Sequence, residues 1–530
     1  MSKKHLIPIL LLALSSYACD DDSDDTTAGE PAAGTMAGEA AGEAAGEMAG
    51  MMMGGEMMTG APGCYSGPPD HMCDCEVSEA ECMGIWTDRC ACDAGGEISK
   101  DYSFDSRFAE GSSVSYSGQT ARHALMSALK SYMGGLETSI ATNGVFTEGE
   151  LVSILTIFFD CAEDICGDEA VTVSGPAPLA QSTISDISGG KNLVGKIAGN
   201  DAVGQHKDWS TQFVGWGGEV VSPEGLVRAW FAEVETHAIA ISNQEYATDP
   251  SGENITRPEV SALGQDYTQL VQKFLLGAVA FSQGADDYLD DTDEGKGLLA
   301  GNSEAAEGKP YTGLEHAWDE GFGYFGAARD YLDYTDDEIA GKGGRDEYQG
   351  AYDSDGDGSI DLVSEFNWGH AVNAAKRDRG HSTDLTNEAY MAFYNGRKLI
   401  ASADGELDEG QFEELKGYRD TAILAWEKAI AATVIHYIND TIGDMESGDE
   451  YDFYAHAKHW SEMKGFALSF QFNPRSPIDD ATFARIHELF GIAPALPGDA
   501  NFDDYRTGLL EARSLMGAAY NFDDADVETW

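Results

Sequence analysis

An all-α fold, a helical bundle domain preceded by a small disulfide-rich module and an unstructured tether, is what this sequence of 530 residues predicts. Three observations carry that expectation. From residue 97 onward apolar residues recur at helical spacing in long segments, and the alternation that marks strands is scarce. Six of the nine cysteines fall within residues 64–92. Residues 19–63 contain no aromatic and no basic residue, so they cannot bury enough surface to offset the entropy of ordering them. Composition bounds the function as well. The chain holds 93 Asp and Glu against 32 Lys and Arg, a formal net charge of −61. Neutralising nucleic-acid phosphates or an anionic lipid surface needs clustered basic residues, so both jobs are excluded and cations, metal ions above all, are the favoured partners. At 42% apolar and 10% aromatic residues the chain still has ample material for a core.

Residues 1–18 read as a signal peptide: Lys3 and Lys4 precede an apolar stretch from Leu6 to Leu14 that is too short to span a bilayer. The Ser-Tyr-Ala-Cys that ends in Cys19 resembles a bacterial lipoprotein cleavage site, although Ser16 departs from the usual Leu, and Cys19 is the expected lipidation site. Residues 19–63, with Asp20 to Asp25, Ala-Gly-Glu triplets and Met51 to Met53, form a spacer with a reach of roughly 35–40 Å. Its scattered thioethers have no Cys or His partners and make a poor metal site. Residues 64–96 hold Cys64, Cys73, Cys75, Cys82, Cys90 and Cys92, for which three disulfides in an oxidising compartment are expected, with the pairing left open. A zinc site would need C-x2-4-C pairs, and the pairs here are C-x-C. Cys161 and Cys166 can close a local bridge if their helix ends near Asp160.

In the helical domain, 97–530, segments with helical periodicity run over about 122–136, 148–159, 223–241, 267–289, 314–331, 362–376, 387–401, 409–442, 451–470, 480–490 and 505–520. Ser222-Pro223-Glu224 is a start signal, with Ser as N-cap and Pro in the first turn. Ser117 is expected to cap a helix beginning near Gln119, and aromatics such as Trp318, Tyr324 and Phe325 are expected in the core. Loops concentrate at 189–218 and 333–352.

Several stretches in this order carry a family resemblance: Ser115 to Arg122 (SYSGQTAR), Gln269 to Lys273 (QLVQK), His316 to Gly326 (HAWDEGFGYFG), Asn373 to Asp378 (NAAKRD) and His459 to Glu462 (HWSE). Together they resemble the bacterial envelope family of unknown function numbered forty-eight fifty-six, over about residues 100 to 525. The resemblance implies an exported, often lipidated protein with the general build of the imelysin group of helical, iron-uptake-associated proteins. The imelysin signature G-x-H-x-x-E is not reproduced; from Gly313 through His316 to Glu320 the chain reads G-x-x-H-x-x-x-E.

Two places in the domain carry candidate metal chemistry. Asp353, Asp355, Asp357, Ser359 and Asp361, with Gly358 at the sixth position and Ile360 at the eighth, have the spacing of an EF-hand-type calcium loop. Its closing position, the twelfth, is Ser364, with Glu365 one residue later. In His456, His459 and Glu462, steps of three place two imidazoles and a carboxylate on one side of a helix, a set that suits zinc or iron. His316 and Glu320 share a face of another helix and are candidates to join them in a composite transition-metal site; hydrogen bonding at helix seams is the favoured reading of these residues. No H-E-x-x-H, G-x-S-x-G, P-loop or strand-linked G-x-G-x-x-G occurs. The expected function is that of a lipid-anchored cell-envelope binding protein, metal-binding and linked to iron or other metal uptake, at the outer membrane or cell surface. Its partners would be metal ions and an outer-membrane receptor or other envelope protein, with membrane contact only through the lipid and no nucleic acid. A calcium-stabilised structural or adhesion protein and a metal-dependent hydrolase are the alternatives.

Overall fold

A computed structural model of the chain describes residues 101–530, except 163, 164, 202–204, 219, 221 and the side chain of Asn143. The signal peptide, Cys19, the tether and the 64–96 module with its six cysteines lie outside the described residues. Within them the chain forms fifteen α-helices, and β structure is confined to isolated bridges. In chain order the helices are α1 Ser117–Gly134, α2 Leu136–Asn143, α3 Glu150–Asp160, α4 Ile184–Ser188, α5 Pro223–Ser242, α6 Tyr267–Leu275, α7 Gly313–Phe325, α8 Asp336–Ile339, α9 Gly369–Asp378, α10 Leu385–Ser402, α11 Glu409–Glu446, α12 Phe453–Ala467, α13 Asp480–Phe490, α14 Phe502–Tyr520 and α15 Asp524–Thr529.

The axis of the bundle is α11, whose 38 residues make a rod about 57 Å long. Asp408 and Gln411 start it with a reciprocal capping box. Its middle, including Ile423, Trp426, Ile430 and Ile435, is buried on nearly every side. The two long neighbours α10 and α12 pack along it, and α9, α14 and α15 close the remaining flanks. Beyond α12 lies α6, which also meets α1; α7 fits between α10 and the continuation of α6.

That continuation is π-helical over Leu276–Phe281 and Gly284–Tyr288, so the expected helix through 289 forms, but with a wider hydrogen-bond pattern. Groups from outside the helix take up several of the carbonyls: His370 Nε2 meets Leu276 O at 3.3 Å, Ala198 N–H donates to Ala278 O at 2.8 Å, and Arg475 donates to Ala285 O.

Three sequence expectations are corrected. Ser117 is the first residue of α1 and not its cap; Tyr116 holds the cap position without a side-chain bond. The helix expected to run to Tyr331 stops at Phe325, because Gly326 turns the chain into the left-handed region at φ +92. The helix expected from Leu362 starts at Gly369. Residues 362–368 pack into the core as loop instead, with the Trp368 indole donating to Leu362 O at 3.0 Å. By contrast α5 begins as expected, Ser222 accepting from Gly225 N–H at 3.1 Å. Cys161 follows the end of α3 at φ 41, and a disulfide joins it to Cys166 across a Cα–Cα distance of 5.1 Å.

Candidate metal centre

Between α8 and α9 the chain from Asp353 to Glu365 folds around its own carboxylates. Gly356 and Gly358 adopt φ +74 and +94, and the turn they permit aims backbone amides inward. Asp357 N–H donates to Asp353 Oδ1 and Asp355 Oδ1, both at 3.0 Å, and Gly358 N–H donates to Asp353 Oδ2 at 2.9 Å. Glu365, only 3% exposed, sits behind them. Its Oε1 accepts from the Ser354 amide and hydroxyl at 2.7 Å, and its Oε2 accepts from Asp361 N–H at 2.8 Å. In consequence Asp353, Asp355 and Glu365 each present an oxygen within 4.8 Å of the others. Carboxylate oxygens keep further lone pairs after such bonds, and an all-oxygen set suits a hard cation such as calcium better than a metal that prefers nitrogen or sulfur.

The other calcium-loop candidates have different work. Asp357 Oδ1 accepts from the Ser359 hydroxyl at 2.7 Å and amide at 2.8 Å, and these bonds hold its carboxyl below the usual range. Asp361 accepts from Val363 N–H at 2.9 Å, from Gln181 Nε2 at 2.9 Å and from the Ser364 hydroxyl at 2.8 Å. Ser364, at the twelfth position, is thereby turned toward Asp361, and closure of the acidic cluster falls to Glu365.

Around this cluster the loop is knitted to distant chain. Ile360 N–H donates to Pro178 O and Ala180 N–H to Ile360 O, both at 2.8 Å, while Arg329 N–H, just past α7, donates to Ser364 O at 2.7 Å. Nearby, Asp330 is pushed up to about 7 by burial, with the charges of Asp333, Asp101 and Glu365 adding to the rise. Neither Gln181 nor Asp330 belongs to a motif, so only the tertiary structure marks them as neighbours of the loop.

The five candidates for a composite transition-metal site do not assemble into one, although His316 Nε2 lies 3.7 Å from Glu320 Oε2. His316, on α7, pairs through Nδ1 with Ser115 O at 3.0 Å and stacks on Tyr311 at 4.4 Å. Glu320 accepts from Gln119 Nε2 at 2.7 Å. On α12, His456 Nδ1 pairs with the Tyr451 hydroxyl at 3.0 Å, and burial pushes this imidazole down to about 4. His459 Nδ1 is 2.8 Å from Asp444 Oδ2 on α11, and the buried Glu462 faces the buried Lys273 of α6 at 3.3 Å. Among the described residues, the sole set of three His, Cys, Asp or Glu groups with ligand atoms within 4.8 Å of one another is Asp353, Asp355 and Glu365. The helical spacing of His456, His459 and Glu462 is as expected, but each is taken by a different neighbouring element.

Fold and site together define an all-helical protein with an acidic loop, Asp353 to Glu365, between α8 and α9. The family described as Domain of unknown function (DUF4856) matches residues 224–491, just over half of the chain, and the chain belongs to that family. The matched region runs from the first turn of α5 to the residue after α13 and includes the acidic loop; the Ser115 to Arg122 stretch lies before it. No curated protein and no solved structure matches the chain.

Proposed function

We propose that the chain is an exported, lipid-anchored cell-envelope protein that binds its ligand without transforming it, and that a calcium ion staples the 353–365 loop to its helical domain. The observation that carries this reading is the convergence of Asp353, Asp355 and Glu365 on one small volume in a loop with EF-hand-type spacing. A dication there would offset the mutual repulsion of acids that the loop holds together. Export is supported by the basic and apolar pattern ahead of Cys19, and the Cys161–Cys166 disulfide suits an oxidising compartment. The structural role is favoured over metal cargo or metal-assisted hydrolysis because His316, Glu320, His456, His459 and Glu462 are engaged with separate partners.

Calorimetric titration of the full chain tests the reading. One calcium per chain is expected, with Kd in the region of about 0.1–1 mM that suits extracellular modules. Glu365→Gln should weaken binding by about tenfold or more and abolish the calcium-dependent rise in Tm. Absence of heat at ten times that concentration would sink the proposal. Stoichiometric zinc or iron that is lost on His459→Gln would restore the uptake reading in its place.

A further inference from the structure

The stretch Ser115 to Arg122 opens α1 without the usual devices for finishing a helix end. Tyr116 stands at the cap position with no side-chain bond, and the first turn holds no acidic residue. Gln119 and Thr120 N–H turn back to Tyr116 O at 3.0 and 3.4 Å, whereas the amides of Ser117 and Gly118 have no partner among the described residues. A helix of 18 residues thus presents two unanswered donors and the positive end of its dipole. Ser117 and Gly118 are both partly exposed, so the turn is open to solvent.

Two cations converge on this turn. Arg122, one turn further along, is only 8% exposed and leans back toward the N-terminus, as helical side chains do. Its Nε donates to Asn192 O at 2.9 Å and its Nη1 to Gly118 O at 3.1 Å; Nη2 has no partner among the described residues. Lys191 reaches the same point from the loop after α4. A Cβ placed on Gly118 would lie 3.0 Å from Lys191 Cε, 3.5 Å from its Nζ and 3.6 Å from Arg122 Nη1. Neither cation pairs with a carboxylate among the described residues. The two acids that touch the stretch are answered by other groups. Glu320 accepts from Gln119 Nε2 at 2.7 Å and lies 3.7 Å from His316 Nε2. Asp319, which accepts from Ser115 N–H at 3.2 Å, is paired with Arg397 at 2.8 Å. A buried guanidinium is almost always given a counter-ion, and in a chain with 93 acidic residues one would be easy to supply.

We propose that the first turn of α1, together with Lys191 and Arg122, binds a small tetrahedral oxyanion of the phosphate class. Free amides at a helix N-terminus favour an anion, and the two cations beside Gly118 supply the charge that an anion would answer. Nη2 of Arg122, the Lys191 ammonium and the two amides offer donors in more directions than the two oxygens of a carboxylate can use, whereas four phosphate oxygens can accept from all of them. Two positive charges also suit a dianion better than a monoanion. The missing side chain at Gly118 has a use in this arrangement, because it lets Lys191 lie against the helix.

Inorganic phosphate is the probe, titrated calorimetrically into the full chain in calcium-free buffer at fixed ionic strength. Acetate serves as the carboxylate comparison and glycerol phosphate as a small ester. One phosphate should bind per chain, with a Kd of about 1 mM or tighter, and acetate should bind at least about tenfold more weakly. The order of phosphate and glycerol phosphate separates the free ion from an ester as the preferred ligand, and either order supports the site. Lys191→Met should weaken phosphate binding by about tenfold or more, the usual effect of losing a hydrogen bond to a charged group. Gly118→Ala, whose methyl group would press on Lys191 Cε, should weaken it too, although alanine suits a helix and leaves the fold intact. Circular dichroism confirms the fold of both variants. An adventitious ion only, seen as phosphate binding that neither variant changes, overturns the proposal. No binding of phosphate, or acetate binding as tightly as phosphate, overturns it as well.

Discussion

Burial alone would push the imidazole of His459 down, yet the hydrogen bond and charge of Asp444, joined by the charges of Asp440 and Glu462, hold it above the ordinary histidine value. A folded-state value raised in this way contributes stability that is fully present below the unfolded value of about 6.5 and is lost as pH rises through the folded value. His459→Gln should therefore cost most stability in mildly acidic solution, with the gap from wild type narrowing as the buffer becomes alkaline. Urea unfolding at several pH values reads this directly; a gap unchanged from pH 5 to pH 9 would mean that His459 matters only for packing. Its neighbour His456 behaves oppositely: burial pushes it down to about 4, so its contribution fades as pH falls from about 6.5 toward that value. The sequence spacing of the two histidines is sound, since both lie on one side of α12. What the spacing cannot contain is that Tyr451 meets His456, Asp444 meets His459 and Lys273 meets Glu462.

At the scale of elements, hydrophobic periodicity located most helices but misjudged ends where loop residues are buried too. Leu362, Phe366 and Trp368 are all in the core, and a pattern of burial cannot distinguish them from a helix face. The π-helical continuation of α6 is equally hidden in the sequence, because the groups that meet its carbonyls come from residues 198, 370 and 475. Small residues set how closely the helices approach. At Gly396 of α10, an added Cβ would lie 2.0 Å from the Trp318 ring, itself fully buried on α7. Gly396→Ala should destabilise the chain by about 1–3 kcal/mol, the usual cost of overpacking. Thermal melting checks it, and a variant as stable as wild type would show that α7 and α10 can separate freely.

Across the whole molecule, the first 96 residues hold seventeen acidic and three basic residues, so most of the charge of −61 belongs to the helical domain. One calcium cannot balance that excess, and general screening should add to its effect. Tm is expected to rise with sodium chloride, and a chelator should lower it most at low ionic strength. A Tm indifferent to both would contradict this account of the acidity. The all-helical class, the disulfide at Cys161 and the acidic loop were legible because each is written in local spacing. The burial of Lys464 against Gly215 and His487 was not, since the three residues come from a loop and two helices far apart in the chain.

The strap of hydrogen bonds between residues 178–181 and the 353–365 loop also sets a folding problem. Gln181 and Asp361 meet across a sequence separation of 180. Closing so long a loop carries a large entropic cost, and contacts of this separation tend to slow the search for the native state. Each acidic oxygen gathered in the loop raises the cost further while the acids repel one another. Calcium would then act on timing as well as on endurance: refolding from urea should be faster in its presence, with the strap forming earlier, and a refolding rate insensitive to calcium would separate the ion from that step.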